Sequence, residues 1–131
     1  MVTEDYVNFK ISKLLKEKGF PQELGEKGCI NTIPYYIQNG QLVTCDINTI
    51  RQRYCPEAAA PTLQMSMKWL REVHNIYIDI LAYTTGKNTQ FRWVGYEKGR
   101  LFSQEEGKTI YFETYEQACE AAIKYCLENL I

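Results

Sequence analysis

Histidine, net charge and long apolar runs are the scarce commodities of this chain, and each scarcity removes a class of protein. His74 is the sole imidazole, so one position holds every histidine-based reading. A net charge of −1 removes the usual electrostatic case for nonspecific binding to nucleic acid or an anionic membrane, leaving only a local basic patch to be sought. No stretch approaches the ~18 apolar residues of a membrane span. The first ten residues, MVTEDYVNFK, are acidic where a secretory leader is basic, and no apolar core follows them. The expected place is therefore the compartment of synthesis, a cytoplasm. Five cysteines, at 29, 45, 55, 119 and 126, are odd in number and form no C-x-x-C pair, so free thiols are expected. Internal repeats and low-complexity segments are also missing.

What is present is an ordinary globular composition: 45% hydrophobic and 24% charged in 131 residues. One domain spanning residues 1–131 is the natural reading, long enough to bury about two-thirds of its unfolded surface without staples. Ten tyrosines help bring the aromatic content to 13%, which suits either a core edge or a docking surface.

The most informative stretch is 61–83. Leu63, Met67, Leu70 and Val73 recur at helical spacing, and then Ile76, Ile78, Ile80 and Ala82 recur at every second position. A helix feeding directly into a half-buried strand is predicted, starting at Pro61, whose missing N–H costs nothing there. Trp69 joins the apolar arc, while Gln64, Lys68, Arg71 and Glu72 form the other side. With TTGKNT (84–89) as the connection, pairing outward sets Ala82 against Phe91 and Ile80 against Trp93. The reverse face then sets Tyr77 near Tyr96 and Leu81 near Arg92. Two further strands, around 100–104 and 108–112, are predicted through turns at Lys98-Gly99 and Glu106-Gly107.

Either side of this centre the signals are simpler. Thr3 is read as the N-cap of a first helix, with Glu4 and Asp5 in its first turn, the stripe Val7, Ile11, Leu14, Leu15, and Gly19 as its stop. Tyr6 and Phe9 fall off that stripe. Residues 21–28 read as a loop. Asn39-Gly40 between apolar runs 30–37 and 42–45 is a strong hairpin signal. Pro34 makes the first of those strands an edge or a late starter. Asp46 or Asn48 could cap a short turn through Arg53. Thr114, with Gln117 three residues on, opens an amphipathic last helix with a capping box. Its apolar side holds Ala118, Cys119, Ala122, Ile123, Tyr125, Cys126 and Leu130.

APTLQMSMKWLREVHNI (60–76), the strand after it, TYEQACEAAIKYCLENLI (114–131) and KLLKEKGF (13–20) together resemble a family of small uncharacterised proteins carried by bacteriophages, prophages and mobile elements of gut bacteria. The resemblance covers most of the chain and rests on helix and core patterns. It implies a mobile-element origin and a bacterial cytoplasm, and carries over no functional residues.

No catalytic constellation stands out. His74, at the end of the central helix, fits a dipole or carbonyl contact better than a general base with a cysteine partner. Cys119 and Cys126 are about 10 Å apart along one helix, too far for a disulfide, and read as small core residues. Cys29, Cys45 and Cys55 match no zinc spacing with His74. Glu105-Glu106 reads as solvated beside a turn, and the glycines at 95, 99 and 107 show no phosphate-loop pattern. Asp79 interrupts an apolar strand on a half-exposed face. No metal and no cofactor is expected.

The expected fold is α+β: an antiparallel sheet of a β-hairpin and a three- to four-stranded meander with about three helices, in the order α-ββ-α-ββββ-α. The expected function is that of a small non-enzymatic accessory protein binding another protein or itself. Its predicted contact residues are Tyr77, Leu81, Tyr83, Arg92 and Tyr96, with Val94 among them. A helix or hairpin lying over that face would instead make the tyrosines core. The alternative is a nucleic-acid-binding protein, with bases stacked on the same face and Arg51, Arg53, Lys68, Arg71 and Arg92 on phosphates.

Overall fold

A computed structural model describes residues 5–22, 35–38, 41–44, 58–103 and 109–131. Among these lie three helices and six strands: α1 (Phe9–Glu17), β1 (Tyr35–Gln38), β2 (Gln41–Thr44), β3 (Ala58–Ala59), α2 (Leu63–His74), β4 (Ile76–Thr85), β5 (Asn88–Glu97), β6 (Arg100–Phe102) and α3 (Tyr115–Asn129). The architecture is α+β, with two antiparallel three-stranded sheets ordered β2-β1-β3 and β4-β5-β6. The chain divides into two compact units, Met1–Met65 and Ser66–Ile131.

In the first unit, α1 starts later than its apolar stripe suggests. Asn8 is the N-cap, its side chain accepting from the Ile11 amide at 2.9 Å, so Asp5 lies ahead of the helix; Thr3 and Glu4 lie outside the described residues. The two residues between Asp5 and Asn8 pair elsewhere: Tyr6 forms an antiparallel bridge with Thr62, and the Val7 amide donates to the Pro61 carbonyl at 3.0 Å. Gly19 ends α1 as predicted. It takes φ 96°, and the amides of Gly19 and Phe20 return to the carbonyls of Lys16 and Leu15, the paired bonds of a Schellman stop. Phe9 is exposed, with the Lys13 ammonium 4.9 Å from its ring centre.

The predicted hairpin is present, with Gln38 opposite Gln41 leaving two residues between the strands. A third strand was not foreseen: Ala58 and Ala59 pair with Ile37 and Tyr36, which makes β1 central rather than an edge. Small side chains explain it, because both alanines are fully buried where α1 lies against β3. Gln22 ties the two together, donating to the Phe20 carbonyl at 2.9 Å and accepting from the Ala59 amide at 2.7 Å. Pro34, Asn39-Gly40 and the proposed turn through Arg53 lie outside the described residues.

α2 begins at Leu63, two residues after Pro61. The Thr62 hydroxyl caps it by accepting from the Met65 amide at 3.0 Å, and the Leu63 amide donates to the Asp5 carbonyl at 2.9 Å. A hydroxyl that satisfies a free helical amide outcompetes a proline that merely tolerates its own missing one. Leu63, Met67, Trp69 and Leu70 are buried as expected, but Val73 is exposed. The ring of His74, not Val73, sits against Trp69, edge-on at 4.6 Å. Asn75 then takes φ 57° and the chain turns directly into β4.

The second unit is built on the β4–β5 ladder, and its register is the predicted one throughout: Ala82 opposite Phe91, Ile80 opposite Trp93, Leu81 opposite Arg92, Tyr77 opposite Tyr96. The strands run longer than expected, leaving only Gly86-Lys87 as the turn, with Gly86 at φ 58°. A second two-residue turn, Lys98-Gly99, has both residues at positive φ and leads into β6. The predicted fourth meander strand is reduced to one bridge, where Phe91 and Phe112 exchange both backbone bonds; residues 104–108 lie outside the described residues. Pairing to β5 stops there because Glu113 and Thr114 go to the capping box of α3, whose Gln117 amide donates to Thr114 and whose Gln117 side chain accepts from the Thr114 amide.

α3 lies across the face of β4 and β5 that carries Ile78, Ile80, Trp93 and Gly95. Ala118, Cys119, Ala122, Ile123, Cys126 and Leu127 are fully buried. The contact is aromatic at its centre: Tyr125 stacks on Phe102 (17° between planes, 6.1 Å) and tilts against Trp93 at 5.3 Å, while Phe91 meets Tyr115 at 6.2 Å. Ala82, at the hairpin tip, belongs to the same face but is exposed, beyond the area that α3 shields. Gly95 makes the packing of Phe102 possible. The two are cross-strand partners, and a Cβ on Gly95 would overlap the outer edge of the Phe102 ring, with Cε2 at 2.6 Å.

A strand glycine replaced by alanine ordinarily gains stability. Here Gly95→Ala should instead lose about 1–3 kcal/mol by overpacking, read from the urea midpoint. An unchanged or raised midpoint would contradict the close approach of Phe102.

Candidate interaction face

The period of two that turns the isoleucines of β4 toward α3 turns Tyr77, Asp79, Leu81 and Tyr83 the other way, and β5 adds Arg92, Val94 and Tyr96 to them. Tyr77, Leu81, Tyr83 and Tyr96 are 48%, 43%, 53% and 40% exposed. Arg92 is half-buried, and Val94 is buried at the centre of the face. The structure thus brings all five predicted residues to one surface of the second unit, opposite the face that α3 covers.

Two members were missing from the predicted set. Leu101, 64% exposed, stands opposite Tyr96 across the β5–β6 turn. Its position was available from the Lys98-Gly99 signal, since a two-residue turn pairs 97 with 100 and 96 with 101. Tyr111, 40% exposed, arrives only through the Phe91–Phe112 bridge, which sets it beside Arg92, and its ring lies 5.7 Å from that of Tyr83. No local signal marks a pairing between segments twenty residues apart. With these two the face becomes, among the described residues, a three-strand surface of four tyrosines and two leucines around a buried valine, carrying the acid Asp79 and the base Arg92.

Among the described residues, those with chemical potential lie elsewhere and do not assemble. His74 packs on Trp69. Among the described residues no group of three His, Cys, Asp or Glu side chains could hold a metal. Cys29, Cys45, Cys55 and Glu105-Glu106 lie outside those residues. Cys119 and Cys126 are free and fully buried in α3. Burial above all pushes the Cys119 thiol up to about 11, with Glu116 and Glu120 adding to the effect and a Tyr115 hydrogen bond opposing it. Burial, helped by Glu97, pushes Cys126 up to about 12. Both thiols are protonated and unreactive at neutral pH. A groove of about 490 Å³ beside α3, lined by Ile110, Phe112, Tyr125, Lys124 and Glu128, has its two charges 3.9 Å apart and no buried catalytic group. Among the described residues, no helix is long and apolar enough to cross a membrane.

Thiols held protonated by folding contribute fully below their ordinary value of 9.0 and lose that contribution as pH rises from there toward 11–12, because the unfolded chain releases its protons first. Unfolding free energy should therefore fall more steeply above pH 9 in the native chain than in a Cys119→Ala/Cys126→Ala variant. Parallel curves from urea titrations would show the thiols to be accessible.

No family model, no curated protein and no solved structure matches this chain.

Proposed function

We propose that this chain is a non-enzymatic accessory protein that works by association, through the tyrosine-bearing face of the second sheet, in a bacterial cytoplasm and on behalf of a mobile element. The observation that carries the proposal is the exposure of Tyr77, Leu81, Tyr83, Tyr96, Leu101 and Tyr111 on one surface while the other surface of the same sheet is filled by α3. Exposed apolar and aromatic side chains gathered on one rigid face are a cost to a lone monomer and a feature of docking surfaces. Tyrosine suits the task because its ring contributes area and its hydroxyl finds a partner at the rim.

Nucleic acid is the weaker occupant. Of the five proposed phosphate contacts, Lys68 is within 3.9 Å of Glu72, Arg71 stands with it on α2, and Arg51 and Arg53 lie outside the described residues. Of the five, Arg92 is the one that the described residues place on the tyrosine face, with Asp79 on the neighbouring strand.

Leu81→Lys/Leu101→Lys places two charges on the face at exposed positions. Tagged native protein drawn from cells carrying the element should retain a stoichiometric protein companion (or a second copy) that the double variant loses, with unchanged circular dichroism. The same companions on both proteins would refute association through this face. Retention on single-stranded DNA that weakens steeply with salt would favour the nucleic-acid alternative.

A further inference from the structure

The face carries a charge pattern that selects its occupant. Among its described side chains there is one carboxylate and one guanidinium, on adjacent strands and one register step apart: Asp79 opposes Val94, and Arg92 opposes Leu81. An acid and a base placed in this way make a surface complementary to itself. A twofold axis lying in the contact plane, midway between the two and perpendicular to the line joining them, sets each Asp79 over the other copy's Arg92. The charged contact is then made twice, and a net charge of −1 gives the copies little reason to repel.

Building on the proposed use of this face, we infer that its occupant is a second copy of the same chain, packed sheet against sheet across that twofold. With a rise of about 3.3 Å per residue and strands about 4.8 Å apart, the line from Asp79 to Arg92 is diagonal to the strands. The axis therefore makes the strands of the two copies cross steeply, the orthogonal class of sheet packing. In the same arrangement Tyr77 of one copy falls over the neighbourhood of the other's Tyr111. The six exposed tyrosines and leucines leave on the order of 600 Å² open on each copy, so closure covers on the order of 1,200 Å², the lower limit of a specific interface. The expected complex is a reversible dimer in the micromolar range rather than an obligate one.

The test is sedimentation velocity of the full chain over a wide concentration range. The native protein should move from monomer to dimer, Asp79→Arg or Arg92→Asp alone should weaken association at least about 10-fold, and an equimolar mixture of the two variants should restore it to within about 3-fold, because the heterodimer pairs opposite charges at both sites. If Arg92→Asp does not fold, judged by circular dichroism, Asp79→Arg and the exposed Leu101→Lys must each still weaken the dimer. A native protein that stays monomeric at several hundred micromolar overturns the second copy as occupant. So does a dimer indifferent to Asp79→Arg and Leu101→Lys. Neither result touches the broader use of the face, which is decided separately by the companion lost or kept in Leu81→Lys/Leu101→Lys.

Discussion

The hydrogen-bonded ladder between β4 and β5 governs the second unit, because its register assigns every side chain on ten consecutive pairs to one face or the other. A slip of one position would exchange the two sets: isoleucines and Trp93 would meet water, and the tyrosines, Asp79 and Arg92 would meet α3. Burying Asp79 and Arg92 against the buried thiols and alanines of α3 would cost far more than exposing a few tyrosines. The register is thus held by what the helix will accept as much as by the turn at Gly86-Lys87.

Around that ladder the packing is unusually dependent on one absent side chain. Gly95 allows the Phe102 ring to lie on the backbone of the neighbouring strand, and from there the ring joins Tyr125 and Trp93 in a single aromatic cluster. The cluster anchors α3 to β5 and β6, and α3 in turn consumes one face of the sheet. Its fully buried thiols add volume without reactivity. This division spends one face of the sheet on the core and leaves Tyr77, Leu81, Tyr83 and Tyr96 of the other exposed.

Much of this was legible locally. The change of period at residue 75, the pairing of 77 with 96 and 81 with 92, the Gly19 stop and the Thr114–Gln117 box all depend on neighbours within a turn or a hairpin, where spacing translates directly into geometry. The misreadings share a cause. Asn8 displaced the expected helix start because the preceding residues pair with 61–63. Ala58-Ala59 became a strand because β1 was there to receive it, and Phe112 made a single bridge because Phe91 was within reach. Each outcome was set by a partner distant in the chain, to which periodicity is blind.

Read alone, the residues were enough to set Tyr77, Leu81, Tyr83, Arg92 and Tyr96 on one surface, since alternation along two strands paired outward from the 84–89 connection leaves no freedom in that respect. They could not decide which of the two surfaces stays open. That choice fell to α3, which covers the isoleucine side through Tyr125 and its buried small residues, and to the bridge that adds Tyr111. A strand's own pattern sorts its side chains into two sets, whereas burial of either set requires another element to arrive, and its arrival is an event of the whole fold.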